Sequence, residues 1–167
     1  MDTPRPNVMM RPVRADDQPH LDRVRQAAFA PVFASFRSIL GDDLYDLAQA
    51  REDEAQGKLL VALLASESGW EVYVAEVAGT VVGFVAIQLH HETHVGEIGL
   101  NAVHPDHASK GVGTAMYDFA IARMQEAGIR VATVATGGDP SHAPARRAYE
   151  KAGFTVQIPS VWLCRKL

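Results

Sequence analysis

The chain has 167 residues, of which 47% are hydrophobic and 22% are charged. This balance excludes a disordered or fibrous chain and predicts one globular domain spanning residues 1–167. A net charge of −4 argues against a nucleic-acid partner held by a basic surface, and it suits a cationic substrate. The single cysteine, Cys164, cannot form an internal disulfide, which fits a reducing compartment.

No membrane association is expected from the hydrophobic pattern. The first six residues lack the apolar segment of a signal peptide. The longest apolar run, Lys58–Ala65, is much shorter than the ~20 residues that span a bilayer. The sequence therefore predicts a cytoplasmic protein.

The N-terminal third combines one strand with helical segments. Val8–Val13 predicts a first strand. Asp16 or Asp17 is placed to cap a helix, because an apolar stripe at helical spacing follows. A second helical segment is expected after Pro31, with its end at Gly41.

A further helix with a possible break at Gly57 leads into a strand-rich region. Trp70–Val77 and Thr80–Leu89 are rich in β-branched and aromatic residues, and Ala78–Gly79 between them predicts a hairpin turn. The polar stretch His90–His94 is expected to form the next turn, at the solvent-exposed tip of a hairpin.

The most informative stretch begins at Glu97. Residues 97–105 predict a strand that stops at Pro105, with Ile98, Leu100 and Ala102 on one face. Gly111 and Gly113 then open a helix that should run to Ala127 and end at Gly128.

The last part of the chain predicts a strand, a helix and one or two closing strands. Val131–Thr136 is the strand, and His142–Lys151 is the helix. Phe154–Ile158 and Val161–Cys164 are expected to close the sheet, which would make Cys164 a small core residue.

A glycine turn followed by a helix suits an anion. The first helical N–H groups have no intrahelical partner, and they carry the positive end of the helix dipole. Such a turn favours phosphate, although an ordinary tight turn has the same pattern. A nucleotide-binding P-loop is disfavoured, because Lys110 precedes Gly111 and does not follow the second glycine.

Two motifs together resemble the GCN5-related N-acetyltransferase (GNAT) superfamily. The first is Val103–x–Pro105 followed by Lys110–Gly111–x–Gly113, and the second is Ala145–x–x–Ala148–Tyr149–Glu150–Lys151–x–Gly153–Phe154. The resemblance implies an α+β fold with a central mixed, mostly antiparallel sheet of six to seven strands. This sheet would be splayed between the fourth and fifth strands and flanked by about four helices.

The same resemblance implies a binding site for acetyl-CoA as co-substrate. The pantetheine arm would fill the splay like an added strand, and the pyrophosphate would lie on the start of the helix. The cofactor-binding residues would then be Ala102, Val103, His104, Lys110, Gly111, Val112, Gly113, Thr114, His142 and Tyr149. Ala108 and Ser109 depart from the family pattern, which prefers Arg or Gln at the first position and often Gly at the second.

The resemblance implies one catalytic residue, and the reaction calls for further candidates. Tyr149 matches the tyrosine that protonates the departing thiolate; alternatively, it is a buried helix residue with a hydrogen-bonded hydroxyl. Glu97 is the first candidate for the base that deprotonates the amine, and a surface carboxylate paired with a cation is the alternative. His94 and His104 are weaker candidates for the base. Phe33 and Asn101 are candidates for contacting the acceptor.

The predicted function is an acetyl-CoA-dependent N-acetyltransferase that transfers the acetyl group directly to a primary amine of a small molecule or peptide. The alternative is a non-catalytic acyl-CoA-binding or sensor module. No nucleic acid or membrane partner is expected, and a homodimer is possible. No metal is expected either, because the histidines at 90, 91 and 94 lack accompanying ligands at zinc spacing.

Overall fold

The sheet is mixed, as predicted, but it has fewer strands. A computed structural model describes residues 7–167, so the expectation about a signal peptide lies outside the described residues. Within this range five strands form one sheet in chain order. The first four strands pair antiparallel, and the fifth lies parallel to the fourth. The strands are β1 (Val8–Pro12), β2 (Trp70–Val77), β3 (Thr80–His90), β4 (Val95–Val103) and β5 (Val131–Val134).

Helices cover both faces of this sheet, and within residues 7–167 there are five α-helices where about four were predicted. None of these helices is long and apolar enough to cross a bilayer. The helices are α1 (Gln18–Leu40), α2 (Asp42–Ala48), α3 (Ala50–Leu64), α4 (Val112–Glu126) and α5 (Ala143–Lys151).

Two predicted helix breaks are wrong. Pro31 lies inside α1, which stays continuous because its buried side chains, Leu21, Val24 and Val32, occur on both sides of the proline. Gly57 lies inside α3, where an added Cβ would lie 3.4 Å from Nη2 of Arg25. This is an ordinary contact distance, so the glycine neither relieves a clash nor ends the helix.

The sheet separates two apolar clusters. The cluster on one face packs α4 and α5 against the sheet, and it includes Val85, Ile98, Met116, Tyr117 and Tyr149. The cluster on the other face packs α1 and α3 against the sheet, and it includes Leu21, Leu60, Val74, Phe84 and Ala102. Every residue of β3 from Val82 to Ile87 is buried, because both faces of this strand are covered.

A bulge in β4 changes which residues share a face. Val85 pairs with Asn101, whereas Ile87 pairs with Ile98, so β4 uses one more residue than β3 over this interval. Ile98 accordingly packs in the α4 cluster, but Leu100 and Ala102 pack in the α1 cluster. The prediction that Ile98, Leu100 and Ala102 share one face is therefore wrong.

The predicted closing strands are also absent from the described part of the chain. Residues 154–167 form no strand, and Val156, Ile158 and Leu163 are largely exposed. The end of this segment lies on α2, where Lys166 Nζ is 2.8 Å from Asp43 Oδ2. An alternating apolar pattern needs a neighbouring strand to form a ladder, and this segment has none. Cys164 is exposed, so its prediction as a core residue is wrong.

The bulge generates a stability prediction for Gly99. An added Cβ would overlap the ring of Trp70, which packs on the α1 face of β4. We expect Gly99→Ala to lower the free energy of unfolding by roughly 1–3 kcal/mol through overpacking. Gly138→Ala is the control, because a Cβ there meets nothing within 4 Å. Denaturant unfolding of both variants checks this, and equal stability would contradict the packing at the bulge.

Candidate active site

The site forms where β4 and β5 separate. Their parallel pairing ends at Ile98 and Val134. β4 continues to Val103, whereas β5 stops, so residues 99–103 have no ladder partner on the β5 side. The end of this pairing is what the predicted splay between the fourth and fifth strands requires, and the splay itself stays a prediction.

Backbone groups of β4 face this gap. The N–H of His104 donates to the carbonyl of Val82 at 2.8 Å, on the β3 side. Because backbone groups alternate in direction along an antiparallel strand, those of Val103 point away from β3 and into the gap. Of the three residues predicted for cofactor binding here, Ala102 and His104 direct their amides to β3, and Val103 presents its amide to the gap.

The start of α4 carries free amides. Gly111 caps the helix with a φ of 90°, in the left-handed region that favours glycine. The first helical hydrogen bond runs from the N–H of Ala115 to the carbonyl of Gly111 at 3.0 Å. Within the described chain, the amides of Val112, Gly113 and Thr114 therefore donate to no protein group. Together with the helix dipole, they can hold an anion.

The residues before α4 extend this turn. Ser109 has a φ of 59°, also in the left-handed region, which explains why glycine suits this position. The Lys110 side chain donates to the carbonyl of Asp106 at 2.6 Å, within the turn that follows β4. The ammonium group is therefore held at Asp106, in the segment between β4 and α4.

Tyr149, Tyr117 and Asn101 meet on the α4–α5 face of β4. The Asn101 side-chain amide donates to the Tyr149 hydroxyl at 3.0 Å, and the Tyr117 hydroxyl donates to Oδ1 of Asn101 at 2.9 Å. The two rings lie 4.8 Å apart. Sequence reasoning missed Tyr117, although it stands one helical turn after Gly113 and so shares its face of α4. Burial raises the pKa of Tyr117 well above its usual range, so this hydroxyl stays protonated.

An apolar cavity of about 400 Å³ lies on the opposite side of the sheet, between α1 and α3. Three phenylalanines of α1 line it, and one of them is Phe33, whose contact with the acceptor stays a prediction. The lining also includes two carboxylates, on Glu52 and Asp53. Asp53 is buried and accepts hydrogen bonds from Tyr45 at 2.6 Å and Gln49 at 2.9 Å.

His142 lies in the loop before α5 and borders this cavity. Its ring lies 5.9 Å from that of Phe36. Its Nδ1 lies 2.5 Å from Asp139 Oδ1. Burial raises the pKa of Asp139, but hydrogen bonds from Ser141 and His142 outweigh burial and hold the pKa at about 2. Asp139 is thus ionised at neutral pH, and Ser35 of α1 donates to it at 3.2 Å.

Glu97 lies in the part of β4 that pairs with β5, two residues before the gap, and its side chain points to the α1 face. Its neighbours Gly96 and Ile98 face α4, so strand alternation directs Glu97 to the other face of β4. It is half-buried and lies opposite Gln88 of the neighbouring strand β3. Tyr149 and Glu97 therefore lie on opposite faces of the strand that borders the gap. The structure therefore does not bring the two predicted catalytic side chains into contact with each other.

The histidines near the β3–β4 turn lie apart from the gap. Residues 91–94 form this turn, and His91 and His94 within it are exposed, as is His90 at the end of β3. The Nδ1 of His94 lies 3.2 Å from the carbonyl of Gly128. In the described part of the chain, no group of three or more His, Cys, Asp or Glu side chains is arranged to hold a metal.

The profile of the acetyltransferase (GNAT) family matches residues 33–154, which include the gap, the start of α4 and Tyr149. The chain belongs to this family. The sequence-based resemblance is confirmed, and the protein is a GNAT acetyltransferase. A comparison with curated protein sequences found no match.

Solved structures of GNAT proteins share the fold. PaiA N-acetyltransferase from Thermoplasma acidophilum, in complex with coenzyme A, aligns with a TM-score of 0.71 and 19% identity over 92% of this chain and 93% of that chain. A GNAT acetyltransferase from Brucella melitensis, in complex with acetyl-CoA, gives 0.63 and 22% over 90% and 84%. The ribosomal-protein-S18-alanine N-acetyltransferase from Escherichia coli gives 0.63 and 16% over 87% and 76%.

The free amides at the start of α4 give a testable prediction. Gly111→Ala should disturb the left-handed cap and weaken CoA binding about tenfold, because it moves the amides that would contact the pyrophosphate. The matched control is Gly128→Ala at the other end of α4, where φ is also positive at 77°. Both variants should lose similar stability, roughly 1–2 kcal/mol.

Calorimetric titration with CoA separates the two variants. We expect near-normal affinity for Gly128→Ala and weakened affinity for Gly111→Ala. Equal affinities would contradict the assignment of the anion site to this helix.

Proposed function

We propose that the chain is an acetyl-CoA-dependent N-acetyltransferase that transfers the acetyl group directly to a primary amine of a small molecule or peptide. One observation carries the proposal. In the chain, the unpaired edge of β4 is followed by the free amides at the start of α4. An extended amide chain that ends in a pyrophosphate can therefore pair with the strand edge and place its phosphates on the helix amides.

The cofactor fits these groups as follows. The pantetheine amides would lie along residues 99–103, as an added strand does. The Val103 N–H, which points into the gap, would donate to the thioester carbonyl and stabilise the charge that develops there. The pyrophosphate would accept from the amides of Val112, Gly113 and Thr114. Acetyl-CoA supplies the activated acetyl group, and two of the structural neighbours hold CoA or acetyl-CoA.

The acceptor would bind in the cavity between α1 and α3. Phe33 and the other aromatic residues suit an apolar portion of the acceptor, and the carboxylates of Glu52 and Asp53 favour a cationic amine. The cavity is on the same face of the sheet as Glu97, so the amine would approach the gap from that side. His142 borders this cavity and is the last residue of the loop that leads into α5.

Two groups would move protons during transfer. A free alkylamine has a pKa of about 10.4, so it must lose a proton before it attacks at neutral pH. Glu97 would accept this proton, directly or through a water molecule. Nitrogen then bonds to the carbonyl carbon as the carbon–sulfur bond breaks, and Tyr149 would donate a proton to the leaving sulfur.

The deciding experiment follows release of free thiol from acetyl-CoA in the presence of a panel of amines. The panel contains an aromatic monoamine, a polyamine, an aminoglycoside and a peptide with a free N-terminus. Thiol release that depends on one class of amine supports the proposal. CoA binding by calorimetry with no amine-dependent release would contradict it and favour a non-catalytic binding module.

The role of Glu97 predicts a pH-dependent defect. With the best amine of the panel, Glu97→Gln should lower kcat about tenfold or more at pH 7, because the base is missing. The defect should shrink as pH rises towards the amine pKa of about 10.4, because the amine then loses its proton to solvent.

The matched control is Glu92→Gln, an exposed carboxylate in the turn before β4. It should keep the normal pH profile. A constant defect at every pH in Glu97→Gln would exclude proton transfer as the role of Glu97.

A further inference from the structure

The side-chain amide of Asn101 has a fixed orientation. One of its terminal atoms lies 2.9 Å from the carbonyl oxygen of Gly99, which can only accept a hydrogen bond. This atom must be nitrogen, so Oδ1 is the atom that lies 2.9 Å from the Tyr117 hydroxyl. Asn101 therefore donates to Gly99 and Tyr149 and accepts from Tyr117.

This orientation gives the two tyrosines different roles. The Tyr117 proton is committed to Asn101 Oδ1. The Tyr149 oxygen accepts from Asn101 at 3.0 Å, and its own O–H donates to Oδ1 at 3.4 Å, the longer of the two hydrogen bonds to that oxygen. The proton of Tyr149 is consequently the more weakly held of the two and the one that can be given to a ligand in the gap.

We propose that Asn101 is a positioning residue, held by Gly99 and Tyr117, that makes Tyr149 the proton donor of the reaction. The proposal rests on the proposed acetyl transfer, because it assigns the donor for that reaction. It replaces the expectation that Asn101 contacts the acceptor with a role exerted through Tyr149. The bulge in β4 supports this placement, because it directs Asn101 towards α4 and α5.

The proton balance is simple. As the carbon–sulfur bond breaks, the electron pair goes to sulfur, and sulfur takes the proton of Tyr149. The phenolate left on Tyr149 is stabilised by the N–H of Asn101 until solvent returns a proton. Tyr117 does not exchange its proton in this step. Burial raises the pKa of its hydroxyl, so Tyr117 remains a neutral donor to Asn101 throughout.

Asn101→Asp is the sharpest substitution, because it keeps the shape and removes both N–H donors. A carboxylate accepts from Tyr149 and so captures the proton that should reach sulfur. We expect kcat to fall about thirtyfold or more, with the KM for acetyl-CoA within about threefold of wild type. Tyr117→Phe frees Oδ1 to accept from Tyr149 and should lower kcat roughly fivefold.

Double variants separate positioning from general damage. In a Tyr149→Phe background, neither Asn101→Asp nor Tyr117→Phe should lower kcat by more than about twofold further, because the group they position is gone. Tyr73→Phe is the matched control, because it removes another partly buried hydroxyl that packs beside α4, bonded to Glu71 and Arg123. It should leave kcat unchanged. Additive losses in the double variants would overturn the proposal.

A second measurement does not need turnover. Ultraviolet absorbance follows phenolate formation with rising pH, and the difference between a protein and its Tyr149→Phe counterpart isolates Tyr149. We expect its midpoint to rise by about one pH unit or more in Asn101→Asp, since the phenolate loses a donor and gains a negative neighbour. An unchanged midpoint in a folded variant would overturn the positioning role, even if wild-type protein acetylates no amine in the panel. Absence of turnover in wild-type protein bears on the proposed function alone.

Discussion

The end of hydrogen bonding between β4 and β5 is the constraint on which the site depends. Four residues of β5 pair with β4, up to Ile98 and Val134, where β5 ends while β4 continues to Val103. Buried backbone groups need partners, so an unpaired strand edge beside the core is favourable only where water or a ligand completes it. The free amides at the start of α4 follow soon after in the chain. An edge that can accept an extended chain and a helix end that can accept an anion thus fit the two parts of the proposed cofactor.

The bulge in β4 is equally important, because it decides which β4 side chains point to each face of the sheet. Without the extra residue, Asn101 would face α1 and lie on the same side as the cavity between α1 and α3. With it, Asn101 reaches Tyr117 and Tyr149, while Leu100 and Ala102 pack against the opposite cluster. Gly99 makes this possible, because its missing side chain leaves room for Trp70. One inserted residue therefore places a polar group at the gap and keeps both apolar clusters filled.

Turns and helix ends were predictable from the sequence where a residue, above all glycine, has a strong preference for one backbone conformation. Gly111 and Gly128 mark the two ends of α4, and Ala78–Gly79 forms the hairpin between β2 and β3.

The bulge was not predictable, because it depends on the register between β3 and β4 and not on the composition of β4 alone. Pro31 misled the prediction, because burial on both sides of it holds α1 together. The C-terminal segment has a strand pattern, but a strand also needs a neighbour, which only the folded chain can supply. Tyr117 was missed for the same reason: its partner Asn101 comes from another element.

The two apolar clusters have an evolutionary consequence. The residues that would hold the cofactor lie mainly on β4, α4 and α5, whereas the proposed acceptor cavity is lined mainly by α1 and α3, and the two sets meet at His142. Apart from His142, the side chains that line the cavity come from the segment between β1 and β2, so they can change without altering residues predicted to bind the cofactor. A lineage with this architecture can acquire a new amine specificity through α1 and α3 while its acyl-donor chemistry is inherited intact.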